Sequence, residues 1–357
     1  MFRTLLFFTL SVTGFTELSG QNFPTPMSRC WEFKSDQIIN NKSASDNQSL
    51  IILPLNTSEI IALDQSGKIL WTNEIGGEIL SNLVIKDDRI FFAIQNSGEE
   101  KGFSLRSVGS RTGLTIWEQK IATSESIQTI EIINSPGSLL IATNNRYFYF
   151  IDEHLGSIIT SEKIEDGLLS NIEVSQENIY FVNQKKQLIN YSLKDKRSNF
   201  LFQFKVPINR LFLNQDNRIL IVNSLNQITQ INLVKMKKNW TVRLGGEVIS
   251  ITGQAGNYLV SSVDNYLYFI SSKNGKFIWR KRTEGRTGGV FVKNQAQYIS
   301  TVINGQTTYF SELKNGRTIN QVTLLGDLFF TKKALILNEL VILSSNRGII
   351  AYSFAKC

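Results

Sequence analysis

Residues 269–279 read Phe269-Ile-Ser-Ser-Lys-Asn-Gly275-Lys-Phe-Ile-Trp279. An apolar run meets a polar turn ending in glycine, and a second apolar run ends in tryptophan. Glycine supplies the positive φ that tight hairpin turns require, so the stretch predicts a β-hairpin. The phrase returns from Ile61 through Gly67 to Trp71 and from Leu105 through Gly113 to Trp117, each time with glycine four residues before tryptophan. Weaker copies end at Gly156, with Thr160 in the tryptophan place, and at Gly316, with Asn320 there. Two copies around 194–197 and 235–238 lack the glycine, and the second still reaches Trp240.

The five tryptophans, Trp31, Trp71, Trp117, Trp240 and Trp279, are 40, 46, 123 and 39 residues apart, and 123 is three times 41. Hairpin turns fall near 67, 113, 156, 197, 236, 275 and 316. Two further strand-like runs precede each hairpin; in one unit they are Glu247 to Ile251 and Tyr258 to Ser262, ahead of Tyr266 to Ile270. Four short strands in about 41 residues is the period of a β-propeller blade. No segment sustains a 3.6-residue period, so helices should be nearly absent.

Seven hairpins leave both ends of the chain over. The C-terminal stretch offers an inner strand at 327–331, a second at 340–344 and a third at 348–353, and lacks an outer one. The missing strand is Cys30-Trp31-Glu32-Phe33. Pairing the two ends gives an all-β, eight-bladed propeller of four-stranded antiparallel blades. This register places Cys357 after the last third strand and Cys30 at the strand that meets it, which predicts a Cys30–Cys357 disulfide; two unrelated thiols are the alternative.

Residues 1–20 resemble a secretory signal, with Arg3, an apolar run to about Phe15, and Ser19-Gly20 at the exit. The run is too short to span a bilayer. Residues 21–29 read as a linker and 30–357 as one propeller. Met27-Ser28-Arg29 before Cys30 is not the small-residue tripeptide of a lipoprotein signal. A soluble, monomeric, periplasmic or secreted protein is expected, and export suits a disulfide.

The net charge is +8. Its basic runs at 194–197, 235–238 and 280–282 lie on the outer strands or their turns, where charge keeps exposed edges from pairing with other molecules. That reading leaves nucleic acid out, with a basic docking surface as the alternative. His154, the only histidine, sits in a turn, which excludes histidine triads and histidine metal sites. No phosphate-binding loop and no Gly-x-Ser-x-Gly elbow occurs. One internal match stands out: residues 71–81 and 240–250 agree at six of eleven positions, including Gly-Gly-Glu at Glu78 and Glu247. A weaker echo includes Arg286. In an eight-bladed ring the first two would face each other at the channel mouth as candidate ligand contacts; glycines serving a tight crossing and solvated glutamates are the plainer reading.

The Ala-Leu-Asp…Gly…Trp phrase resembles the PQQ-like repeat, shared by quinoprotein dehydrogenases and BamB-like accessory proteins of outer-membrane barrel assembly. The resemblance covers 30–357 and is strongest at 61–71, 105–117 and 269–279. A dehydrogenase of this kind implies a longer chain, adjacent cysteines, and acidic and amide ligands for Ca²⁺ beside the quinone. This chain has neither the adjacent cysteines nor a long insertion. The resemblance therefore implies the non-catalytic group: no PQQ, no catalytic residues, and envelope or outer-membrane proteins as partners through the loops. The lipid-attachment cysteine and the Leu-Arg-Gly loop of that group are absent. A quinone-dependent enzyme and a carbohydrate- or peptide-binding channel are the alternatives.

Overall fold

The computed structural model describes residues 27–39, 42–46, 48–96, 101–133, 137–144, 146–175, 177–214, 217–254, 256–294, 296–332 and 334–357. The expected signal at 1–20 lies outside them, as does most of the expected linker.

Thirty-two strands form eight antiparallel sheets of four, and no helix occurs among the described residues. Blades 1 to 7 occupy 44–74, 84–121, 127–163, 173–203, 208–243, 248–282 and 287–323, each with its strands paired in chain order from the channel outward. In blade 8, Leu335–Leu337, Leu340–Ser345 and Gly348–Ser353 are completed by Ser28–Lys34 from the other end of the chain. Trp31 pairs with Ala351 and Phe33 with Ile349. The strand begins at Ser28, so the propeller starts two residues before Cys30. The sulfurs of Cys30 and Cys357 are bonded, with Cα atoms 5.4 Å apart across 327 positions of sequence.

The inner strand of blade 8 departs from expectation. It lies at Leu335–Leu337 rather than 327–331. Phe330 makes an isolated bridge to Ser345, Thr331 donates its N–H to Ser344 O, and the ladder then breaks at Lys332. The Lys332 ammonium reaches across the closure to Ser43 Oγ of blade 1, 3.0 Å away. Blades 2 and 4 break at the same place, after the bridges of Ile79 and Leu168. In blades 2 and 4 the sequence there is Leu-Ser-Asn. The serine oxygens of Ser81 and Ser170 accept the N–H groups of Ala93 and Val182. Asn82 and Asn171 each make two hydrogen bonds to the backbone of the next inner strand, at Ile130 and Leu211. The side chains thus supply the bonds that the interrupted ladder loses.

A blade has two apolar faces and no interior of its own, so its hydrophobic residues are buried only between neighbours. Eight buried clusters occupy the eight interfaces, the last uniting Ile51, Leu53 and Leu63 of blade 1 with Leu337, Ile342 and Ile349 of blade 8. The closure is packed like every other joint.

The tryptophans set the spacing of these joints. Each lies against the hairpin glycine of the following blade: Trp31 on Gly67, Trp71 on Gly113, Trp117 on Gly156, Trp240 on Gly275, and Trp279 on Gly316. Each indole N–H donates to a carbonyl of that hairpin, at 2.8 to 3.1 Å. A Cβ on Gly113 would stand 2.5 Å from Trp71 Cε3. Glycine therefore answers two demands, a φ near +70° and the close approach of a ring. Where the preceding blade has Thr160 or Phe200 in place of tryptophan, the next hairpin carries Lys196 or Met236 at positive φ.

Candidate functional site

The segments that cross from one outer strand to the next inner strand surround one mouth of the channel. Glu78, Glu247 and Arg286 occupy equivalent crossings before blades 2, 6 and 7, and each carbonyl accepts a backbone N–H, from Gln95, Val263 and Ile303 respectively. All three side chains are exposed. Glu78 and Glu247 are four blades apart, on opposite sides of the ring, and do not share a cavity. The adjoining glycines are explained by packing: a Cβ on Gly77 would lie 2.7 Å from Gln95 O, and one on Gly245 would lie 2.3 Å from the Asp264 carboxylate.

Two cavities open on opposite parts of the ring. The first, about 510 Å³, lies where blades 8, 1 and 2 meet, and its wall holds Lys42, Lys332 and Glu78. Burial pushes the Lys332 ammonium down to about 8. Burial also lowers Lys42, opposed by the charge of Glu78. The second, about 620 Å³, is lined by Glu173, Arg210, Phe212 and Ile251 of blades 4 to 6 and by Gly289 of blade 7. Burial raises the Glu173 carboxyl to about 7, with a further push from Glu131 on the neighbouring inner strand. Its oxygens accept from Asn171 Nδ2 and from the Leu213 N–H. Burial raises Glu131 as well.

These carboxyls make stability depend on pH. An unfolded glutamate ionises near 4.5 and folded Glu173 near 7, so the native state holds the extra proton between those values. The stability from this proton is fully present below about 4.5 and is lost as pH rises through 7. Glu173→Gln is expected to flatten that part of the profile and, at pH 8, to raise stability by on the order of 2 kcal/mol. Urea titrations of both proteins from pH 4 to 8 check this; parallel profiles would refute it.

The rim of the ring is chemically uneven. In the outer strand, one residue before the tryptophan place, a β-bulge turns a side chain outward, as at Leu70, Ile116, Ile159 and Ile278. In blade 8 that bulged residue is Cys30. The turns and outer strands of blades 1 to 3 (65–74, 110–121, 153–163) carry four basic and four acidic residues. Those of blades 4 to 6 (193–203, 233–243, 272–282) carry twelve basic residues and one acid, Asp195. His154 lies exposed on the first of these arcs, with Nε2 3.5 Å from Glu153 Oε1. Among the described residues, no three of His, Cys, Asp and Glu are grouped to hold a metal ion, and no helix is long and apolar enough to cross a membrane.

The crossing residues lie between blades and the basic runs lie on outer strands and their turns. The sequence reading missed the Leu-Ser-Asn bridges, although Leu80-Ser81-Asn82 and Leu169-Ser170-Asn171 are a visible repeat. It also missed Glu131, Glu173 and Lys332, whose neighbours come from other blades.

A family model described as outer membrane protein assembly factor BamB matches residues 27–143, from the closing strand into blade 3. Comparison with curated proteins finds no match. Among solved structures, BamB from Moraxella catarrhalis superposes with a TM-score of 0.67 at 13% identity, covering 92% of this chain and 97% of that one. The computationally designed Ika8 protein gives 0.73 at 9% identity, covering 91% and 99%. The C-terminal WD40 domain of Sif2 gives 0.73 at 11%, covering 94% and 100%. The fold is thus common to proteins of different kinds. Over 27–143 the repeats are similar to those of the BamB family model, and the eight-bladed arrangement is similar to that of the BamB structure.

Proposed function

We propose that this BamB-like propeller is a non-catalytic scaffold of the cell envelope that docks partner proteins on the rim of blades 1 to 3, with outer-membrane protein assembly as its setting. The observation that carries the reading is the apolar, charge-balanced edge there. Outer strands expose unpaired N–H and C=O groups, and native proteins blunt such edges with charge. On blades 1 to 3 the exposed side chains include Ile69, Leu70, Ile116, Ile158 and Ile159, and the charges cancel. Exposed apolar edges of this kind accept a partner's strand or apolar surface.

The wall of the second cavity does not favour a quinone with its Ca²⁺. Glu173, the one acid on that wall, and Asn171 are engaged with each other and with the backbone of blade 5. The only cysteines are tied to each other at the edge of the ring.

A photo-crosslinking residue at Ile116 or Ile159 should capture envelope proteins, whereas one at Lys237 should not capture the same set. With the crosslinking residue placed instead at Leu70, the double variant Ile116→Lys, Ile159→Lys should lose these products with little change in Tm, since both side chains already face water. Unchanged crosslinking by the double variant would overturn the assignment of the rim.

A further inference from the structure

We propose that the rim of blades 4 to 6 is a docking surface for an anionic lipid bilayer. Protection of edges does not account for its charge. All eight blades have an outer edge, so a protective function would spread lysine and arginine around the whole ring. Instead three adjacent blades carry a net +11 in their turns and outer strands, more than the +8 of the entire chain, and the three before them carry none. Apart from Lys281, which turns inward to Thr318 and the ring of Tyr309, these basic side chains are exposed.

The form of the patch favours a bilayer. It lies on the convex circumference, on consecutive hairpins. Exposed apolar residues stand among the cations: Phe200 is 57% exposed, Val234 74% and Phe277 39%. Apolar side chains set among lysines suit the boundary of headgroup and acyl chain, where the cations meet lipid phosphates and the apolar groups enter below them. A polyanion in water would leave those side chains with nothing to bury against. The arc adjoins the apolar rim of blades 1 to 3 at the joint where Ile159 and Lys196 line one pocket, and a bilayer centred on blade 5 leaves the edges of blades 1 and 2 open.

The test is co-sedimentation of the full chain with vesicles. It should bind vesicles of phosphatidylcholine with about one third phosphatidylglycerol at low salt, ignore pure phosphatidylcholine, and be released near 1 M salt, where the Debye length falls to about 3 Å. Each lysine near an anionic surface contributes roughly a fivefold gain in affinity, so Lys235→Glu, Lys237→Glu, Lys238→Glu together should weaken binding by at least about 100-fold. Lys68→Glu with Lys163→Glu, on the neutral arc, should change it less than tenfold. All five lysines are exposed, so near-native Tm values for both variants are expected and keep loss of binding separate from loss of fold. Failure to sediment with anionic vesicles at low salt overturns the proposal. So does retention on duplex DNA or polyglutamate in preference to vesicles, or equal weakening by the two variants. None of these results bears on the crosslinks at Ile116 and Ile159.

Discussion

Gly113→Ala is expected to cost about 3 to 5 kcal/mol of unfolding free energy, more than most single methyl additions. Two penalties coincide at this position. The backbone holds φ at +68°, where a residue with a Cβ is strained, and the new methyl would stand 2.5 Å from Trp71 Cε3. The molecule contains its own control. Gly76 has nearly the same φ, +69°, and nothing within 4 Å of a Cβ, so Gly76→Ala should cost only the backbone part, about 1 to 2 kcal/mol. Adding Trp71→Ala to Gly113→Ala should be markedly less damaging than the sum of the two, because the ring that the methyl strikes is gone. Equilibrium urea unfolding of the four variants checks the argument. Equal losses at Gly113 and Gly76 would show that the indole contact carries no weight.

Opening the disulfide has the largest expected effect. In the chain-entropy account, a link across 327 positions removes roughly 5 to 6 kcal/mol of freedom from the unfolded chain, an upper limit for what Cys30→Ser with Cys357→Ser loses. The native fold needs no other change, since the closing strand keeps its ladder with Gly348–Ser353 and the buried cluster beneath it. The variant should therefore fold to the same eight-bladed ring and unfold at much lower urea. The wild-type protein in reducing agent should behave the same way. Peptide maps with and without reduction test the pairing itself; two thiols open to alkylation in the native protein would refute it.

How far the sequence could be read follows from what each feature depends on. The hairpin phrase is local, a turn and the two strands beside it, and so it exposed the blade, the period and the missing eighth strand at once. The tryptophan and glycine partners were visible too, but as members of one hairpin. In space each tryptophan belongs to the glycine of the next, and the hint lay in the joint absences: Thr160 and Phe200 precede the hairpins of Lys196 and Met236. The inner strand of blade 8 was misplaced because Phe329 and Phe330 look more strand-like than the short Leu335–Leu337, and only the bridge to Ser345 shows where the ladder breaks. The channel carboxyls and Lys332 left no local signal, since their shifts come first from burial, which depends on how the blades pack together. The uneven rim was present in the composition of the outer strands, and emerged once they were compared blade by blade.

The bond between Cys30 and Cys357 also changes the topology of the molecule. A propeller sealed only by strand pairing is still a line with two ends. With the bond in place every described residue from 30 to 357 lies on one covalent loop. A single proteolytic cut in any exposed hairpin leaves one covalent molecule, heavier only by the water of hydrolysis, separated into fragments only after reduction. The same connectivity makes the hairpins interchangeable as starting points. A gene opened at the turn of 272–276, with the old termini fused by a short turn, would encode the same ring with its seam moved to blade 6.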